Sequence, residues 1–249
     1  MSATQIVALA SASGSGEGLS PTDARLIAAH EAVGRGDALL APYDPALLAS
    51  LPRDPTTIVT VLDIAETARG LEQAGIPRYG WARARSLGPL TMARLLPTGL
   101  RLGPQLPRSG IAGLSLVLVA ADLRHASDLG IPATALHWQL TDFLVANEQA
   151  AWLSRYVGLA RGYGLRAGLC TNDIGRALRL AGGLRGLDFI IAPLSLAGFR
   201  MTPDRSSCEA AIRERSLEVI PHLGPLDTLD PDDRTYAEGL GLTRYVVDA

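Results

Sequence analysis

A histidine stands where a predicted β-strand gives way to a helix. The strand covers Ala133–Trp138, and polar residues up to Asp142 then open a helical pattern. Because an imidazole titrates near neutral pH, His137 in this position can act as a general acid or base. A structural histidine, hydrogen-bonded within the fold, explains the position equally well. We expect Asp142 to be the N-cap of the helix that follows.

Two further strand ends carry polar side chains. Asp63 follows the apolar run Ile58–Leu62. A carboxylate there is costly to bury unless it is paired, so it has either a function or an arginine partner. Thr171, Asn172 and Asp173 end another predicted strand. Their side chains suit hydrogen bonding to a ligand, but a helix cap at Asn172 or Asp173 is the favoured interpretation.

The remaining motifs favour structural roles. Ser13–Gly18 is glycine-rich and follows the first predicted strand, so its backbone N–H groups could bind phosphate. It lacks the GxGxxG order and an immediate helix start, which favours a flexible loop. Cys170 is expected to be a buried structural thiol. The histidines and cysteines show no HxH, HExxH or CxxC spacing, so no metal site is expected.

Composition excludes several classes of chemistry. All 23 basic residues are arginine, so no lysine can form a Schiff base or anchor pyridoxal phosphate. The net charge of −2, without long runs of one sign, argues against nucleic-acid or anionic-membrane partners. No apolar run is long enough to span a bilayer. Two separated cysteines and an N-terminus without a secretory pattern predict a cytoplasmic protein with reduced thiols.

The elements that position these residues alternate between strand and helix. Ten segments have strand character, and several are apolar on both faces, as buried parallel strands are. They are Ile6–Ala10, Ala38–Ala41, Thr57–Leu62, Tyr79–Ala84, Leu114–Ala120, Ala133–Trp138, Arg166–Cys170, Asp188–Ala192, Glu218–Pro221 and Arg244–Val247. The predicted helices are Ala24–Val33, Asp142–Tyr163, Asp173–Leu180 and Ser207–Arg215.

This order predicts an α/β fold over residues 1–249 as one domain, a (βα)8 TIM-type barrel with the possibility of an irregular or extra N-terminal element. Ten strands are two more than a barrel needs, so we expect two of them to be loops or an extra hairpin. A doubly wound open sheet is the alternative. In either fold the chemistry belongs at the carboxyl ends of the strands.

The strand-end motifs resemble those of the aldo/keto reductase superfamily, whose members are (βα)8 barrels. The resemblance covers about two-thirds of the chain and rests on short motifs in the right order. These are Asp63-Ile64-Ala65, His137-Trp138, Thr171-Asn172, Gly224-Pro225-Leu226 and the last strand, Gly241–Val247. The resemblance implies the barrel scaffold, with Asp63 and His137 in two places of that family's Asp–Tyr–Lys–His set.

The departures from the family speak against its hydride transfer. The family's lysine cannot exist here, and Ala120-Ala121-Asp122 follows the strand where it is expected. No tyrosine follows Asp63 closely, and Tyr79 is a distant substitute. The chain also ends at Ala249, where the family's nucleotide-phosphate loop is expected to come. A cofactor whose phosphates lack partners binds poorly.

We therefore expect a cofactor-independent enzyme that acts on a small metabolite as a cyclase, isomerase, lyase or dehydratase. His137 is predicted to be the general acid/base and Asp63 its partner. The predicted substrate-binding residues are Trp138, Asn172, Thr171, Arg83 and Asp122. An NADP-dependent oxidoreductase is the first alternative, and a non-catalytic ligand-binding or partner protein the second. Apolar residues exposed on the helical layer would indicate a homodimer.

Overall fold

Eight parallel strands close into a barrel in the computed structural model of the protein. The structure describes residues 4–9, 21–51, 56–102, 106–198, 201–214, 217–225 and 230–248. The strands follow chain order around the barrel, and the last pairs with the first, Gln5 lying opposite Tyr245. This is the predicted (βα)8 barrel. The open, doubly wound alternative is wrong because the sheet has no free edge.

The strands are short and are joined by helices that cover the outside of the barrel. They are β1 Thr4–Ala8, β2 Ala38–Pro42, β3 Ile58–Val61, β4 Ala133–Leu136, β5 Arg166–Cys170, β6 Phe189–Pro193, β7 Glu218–Pro225 and β8 Arg244–Asp248. The helices are α1 Pro21–Gly34, α2 Pro45–Ser50, α3 Ile64–Leu102, α4 Leu106–Asp128, α5 Trp138–Ala146, α6 Ala150–Gly162, α7 Ile174–Ala181, α8 Arg205–Glu214 and α9 Pro231–Gly239.

Apolar side chains fill both the interior of the barrel and the layer between strands and helices. Each strand therefore buries two faces, which explains the continuous apolar runs in the sequence. Inside the barrel, Phe189 packs directly on the backbone of Gly168, where a Cβ atom would lie 2.1 Å from the ring. Only glycine leaves room for this ring at this level of the barrel.

Two predicted strands are helices instead. Tyr79–Ala84 lies within α3, and Leu114–Ala120 lies within α4, both between β3 and β4. A short apolar run looks the same in a buried helix as in a buried strand, so periodicity could not separate them. The helical conformation of α3 is interrupted at Gly75 and Gly88, whose φ angles are 72° and 75°. Those left-handed positions favour glycine and divide α3 into three helical pieces.

The long helix predicted over Asp142–Tyr163 is two helices. Helix α5 starts at Trp138, directly after β4, and α6 starts at Ala150. Between them Glu148 has a φ of 54°, a left-handed conformation that ends the first helix. The helices predicted at Ala24–Val33, Asp173–Leu180 and Ser207–Arg215 correspond to α1, α7 and α8.

The structure tests only some of the remaining predictions. The glycine-rich segment Ser13–Gly18 lies outside the described residues. Within the described ranges, no helix combines the length and the apolar character needed to cross a membrane. Helix α3 exposes the large apolar side chains of Trp81, Leu90 and Leu96. The homodimer stays a prediction.

Candidate active site

A cavity of about 1060 Å³ opens at the carboxyl ends of the strands. All eight strand ends contribute to its lining. In chain order the contributing residues are Ala8, Pro42, Asp63, His137, Cys170, Pro193, His222 and Asp248. Helices α1 and α3 add Arg25, Arg69 and Tyr79. This is the end of a barrel where enzymes of this architecture carry their chemistry, and the volume accommodates a small organic molecule.

His137 is the first residue after β4 and is held firmly by its backbone. Its N–H donates to the carbonyl of Val61 at 3.1 Å, and its carbonyl accepts from the N–H of Thr141 at 3.0 Å. The Nε2 atom lies 3.9 Å from Oδ2 of Asp63. The Nδ1 atom is buried and has no hydrogen-bond partner within the described ranges. The structure thus brings together the two residues predicted to be catalytic, His137 and Asp63.

The surroundings of His137 favour its neutral form. Burial lowers the pKa of the imidazole below its ordinary value, and the carboxylate of Asp63 opposes that shift only in part. A neutral imidazole near neutral pH can accept a proton. Trp138, predicted to contact substrate, is 45% exposed and lines the same cavity. Its ring centre lies 5.7 Å from that of the His137 ring, so the indole forms an apolar wall of the site beside the imidazole.

Asp63 follows a strained backbone turn, which the buried carboxylate of Asp122 holds by a hydrogen bond. The preceding residue, Leu62, has a φ of 54°, and its N–H donates to Oδ2 of Asp122 at 3.3 Å. The Asp122 residue is fully buried and forms an ion pair with Arg83. A left-handed conformation at a leucine costs on the order of 1 kcal/mol and persists only where its surroundings fix it. Asp122 therefore fixes the backbone from which Asp63 projects.

Arg83 and Asp122 do not lie where the sequence analysis placed them. They were predicted to follow strands and contact substrate, but they lie on α3 and α4 and are not among the residues that line the cavity. Burial alone would lower the pKa of the Arg83 guanidinium, but the charge and hydrogen bond of Asp122, together with Tyr43 and Tyr79, outweigh burial and the pKa is raised. The two charges stabilise each other behind the site, so this placement gives no support to a direct substrate contact.

Tyr43 separates this buried pair from the cavity. Its ring lies under the Arg83 guanidinium at 4.8 Å, and its hydroxyl is 2.9 Å from Nδ1 of His125. Burial, reinforced by the charge of Asp122, raises the pKa of the Tyr43 phenol, so the hydroxyl stays protonated. Burial lowers the pKa of His125. Tyr43 itself lines the cavity, which makes it a wall residue that the sequence analysis missed.

Thr171 and Asn172 reach the cavity, as predicted, and are held there by Asp142. The Thr171 hydroxyl donates to Oδ1 of Asp142, and the backbone N–H and side-chain amide of Asn172 both donate to the same carboxylate. The prediction that Asp142 caps a helix is wrong. Helix α5 begins four residues earlier than expected, with His137 at its N-cap, so Asp142 lies one turn inside and faces the end of β5. The cap predicted at Asp173 is confirmed.

A second histidine–aspartate pair was missed by the sequence analysis. Nε2 of His222, in β7, lies 3.0 Å from Oδ1 of Asp248, at the end of β8, and both residues line the cavity. The two residues stand 26 positions apart in the sequence, and no short motif contains both of them. The only available signal was that each stands in or after a predicted strand. That signal became useful once the barrel order made β7 and β8 neighbours.

Cys170 also borders the cavity, but its thiol is not activated. Burial raises its pKa to about 12, and the nearby charge of Asp142 adds to this effect. A thiolate is therefore scarcely populated near neutral pH. Cys170 and Cys208 are both buried and unpaired with each other, which fits the structural role predicted for Cys170.

Comparison with known proteins supports the barrel and corrects the family. No protein-family model matches the chain, and no curated protein matches it. Among solved structures, a xylose isomerase domain protein from Planctomyces limnophilus is similar, with a TM-score of 0.50 and 11% identity over 100% of this chain and 90% of that one. At this identity the likeness shows the fold alone, a TIM-type barrel.

The resemblance to aldo/keto reductases is wrong. Neither a family model nor a curated protein supports it, and the similar solved structure is a xylose isomerase domain protein. The physical reason is that the resemblance rested on motifs of two or three residues at strand ends. Any (βα)8 barrel places polar residues there, whatever its family.

Proposed function

We propose that the protein is an enzyme that moves protons on a small metabolite in the barrel mouth without a redox cofactor. The observation that carries the proposal is the placement of His137 beside Asp63 at the carboxyl ends of β3 and β4, facing a cavity of about 1060 Å³. Isomerisation and elimination are the reaction classes that need only such proton transfers.

His137 is the base in this proposal. Its desolvated imidazole stays neutral near neutral pH and can accept a proton at Nε2, the atom nearest Asp63. The resulting imidazolium is stabilised by the Asp63 carboxylate, which at 3.9 Å is within reach of its charge but beyond ordinary hydrogen-bond distance. Once Nε2 has accepted the proton, a small movement of either side chain would complete that hydrogen bond.

The remaining wall of the cavity suits a polar substrate. Asn172 and Thr171 are fixed by Asp142, so Asn172 presents its amide to the cavity at little entropic cost. Trp138 offers an apolar surface beside the imidazole. Such a mixture of a few fixed polar groups and apolar surface is typical of small-molecule sites.

The proposal is tested by incubating the purified protein with a defined mixture of hydroxy acids, oxo acids, sugars and sugar phosphates, followed by mass spectrometry. No nicotinamide or flavin is added. We expect the wild type to convert at least one compound, and Asp63→Asn to slow that conversion. His30→Gln is the matched control, since His30 is exposed on α1 and does not line the cavity. Conversion that appears only after NADPH is added would overturn the proposal.

A further inference from the structure

The two histidine–aspartate pairs lie on opposite sides of the barrel mouth. His137 and Asp63 follow β4 and β3, whereas His222 and Asp248 belong to β7 and β8. In a closed barrel with strands in chain order, β3 faces β7 and β4 faces β8 across the axis. Because one cavity is lined by all four residues, a bound molecule lies between the two pairs.

The second pair is positioned by an irregularity in the sheet. The pairing of β7 with β8 shifts between His222 and Pro225, so that His222 is opposite Val246 while Pro225 is opposite Asp248. Bulges of this kind re-aim side chains and are over-represented beside active sites. Here the shift accompanies an imidazole that reaches the carboxylate two residues further along the neighbouring strand, at 3.0 Å.

The two pairs differ in a way that suits opposite tasks. At 3.0 Å, Nε2 of His222 is within hydrogen-bond distance of a carboxylate oxygen that can only accept, so Nε2 is the donor and the imidazole is fixed by its aspartate. His137 has no such contact, because its carboxylate is 3.9 Å away. Nε2 of His137 is thus open to accept a proton, whereas Nε2 of His222 already carries one.

We infer that His222, supported by Asp248, is the acid that complements His137, and that the two act on opposite faces of one carbon atom. This inference rests on the proposed function. The reaction it assigns is inversion of configuration at a carbon next to a carbonyl group. Charged groups of both signs on the same lining, Arg25 and Arg69 with Asp44, Asp63 and Asp248, favour a polar substrate.

The proton balance needs no co-reactant. The C–H bond breaks on one face as its proton passes to Nε2 of His137, and its electron pair moves into the adjacent carbonyl to form an enolate. His222 enters this half-reaction protonated on both ring nitrogens and gives the proton of Nδ1 to the same carbon from the opposite face, while its Nε2–H stays hydrogen-bonded to Asp248. This transfer re-forms the carbonyl and inverts the centre. His137 ends protonated and His222 neutral, so the enzyme is ready for the reverse reaction or returns by exchange with solvent.

The test starts from each pure enantiomer of acetoin, glyceraldehyde and glyceraldehyde 3-phosphate in D₂O. Loss of the Cα–H signal in NMR measures deuterium exchange, and chiral chromatography measures inversion. We expect the wild type to invert at least one of these compounds and to exchange deuterium into both of its enantiomers. His137→Gln and His222→Gln should each reduce inversion by about 10²-fold or more. Each variant should still exchange deuterium into one enantiomer only, and the two variants should act on opposite enantiomers.

Asp248→Asn provides a second variant that keeps the imidazole. Both members of this pair are partly exposed, so the substitution is expected to be tolerated by the fold. It should slow exchange of the enantiomer handled by His222 and spare the other, an asymmetry that a purely structural role of Asp248 would not produce. His30→Gln should behave as the wild type.

Three outcomes overturn the inference. The first is a His222→Gln enzyme that inverts at the wild-type rate. The second is a set of variants that lose exchange of both enantiomers together. The third is a wild type that exchanges none of these compounds. If it nevertheless converts another compound of the metabolite mixture, opposite-face inversion is wrong and the proposed acid/base function stands. If it converts nothing in either assay, both are wrong.

Discussion

Replacing Asp122 by asparagine should destabilise the protein more than any surface charge change. The carboxylate is fully buried, pairs with Arg83 and accepts the N–H of Leu62 at 3.3 Å. Asparagine keeps one oxygen acceptor but no charge. The guanidinium of Arg83, whose side chain is 16% exposed, then loses its counter-ion inside the structure. The turn before Asp63 also loses or weakens its anchor.

The expected size of the effect follows from the burial of the pair. Removing one partner of a buried ion pair costs about 3–5 kcal/mol. The partial exposure of Arg83 and its contact with the Tyr43 ring at 4.8 Å place this case at the lower end, about 3 kcal/mol. For a chain of 249 residues that corresponds to a melting temperature lower by roughly 6–12 °C.

Thermal and urea unfolding followed by circular dichroism measures the effect. The matched control is Glu238→Gln, which breaks an exposed ion pair with Arg234 within one helix and should cost about 0.5 kcal/mol or less. The double variant Arg83→Met/Asp122→Leu removes both charges and should recover the part of the loss that comes from the unpaired guanidinium, but not the part that comes from the Leu62 N–H. If Asp122→Asn melts within the error of Glu238→Gln, Asp122 does not hold the Leu62 turn as described.

Three further predictions concern pH, thiols and cofactors. Burial lowers the pKa of His137 and of His125 in the folded protein. Their contribution to the free energy of unfolding is therefore fully present above about pH 6.5 and is lost as the pH falls below that value. Urea midpoints between about pH 7.5 and about pH 5.5 should therefore fall for the wild type and fall less for His137→Gln, and equal declines would refute the assignment. Thiol counting should find two free groups on denatured protein and slow reaction of native Cys170, whose pKa is raised to about 12, whereas no free thiol would refute the reduced state. Fluorescence titration should detect no useful binding of NADPH or NADH, and a micromolar dissociation constant would restore the oxidoreductase alternative.

The barrel could be predicted because its strands are recognisable in the sequence as short, apolar, β-rich runs. Eight of the ten predicted strands correspond to strands of the barrel, and alternation with helices is typical of a parallel sheet. The two wrongly predicted strands fell between β3 and β4, where one connection contains two long helices. Leu114–Ala120 is apolar, with leucines and two valines, but it continues α4, and its local sequence does not separate a buried helix from a buried strand.

The site was predictable where a residue directly follows its strand. His137, Asp63, Thr171 and Asn172 all lie within two residues of a strand end, and all line the cavity. Arg83 and Asp122 were misplaced because the strands that they were thought to follow are helices. His222 and Asp248 were missed because their pairing depends on closure of the barrel and on an irregular register, neither of which leaves a local trace in the sequence.

The most direct test of the acid/base account compares turnover by His137→Gln and His30→Gln on a compound that the wild type converts. Both variants replace a histidine by the same amide, but only His137 faces the cavity. With melting temperatures confirming that each is folded, the account predicts a loss of about 10²–10⁴-fold for His137→Gln and none for His30→Gln. A folded His137→Gln enzyme that turns over at the wild-type rate would contradict it.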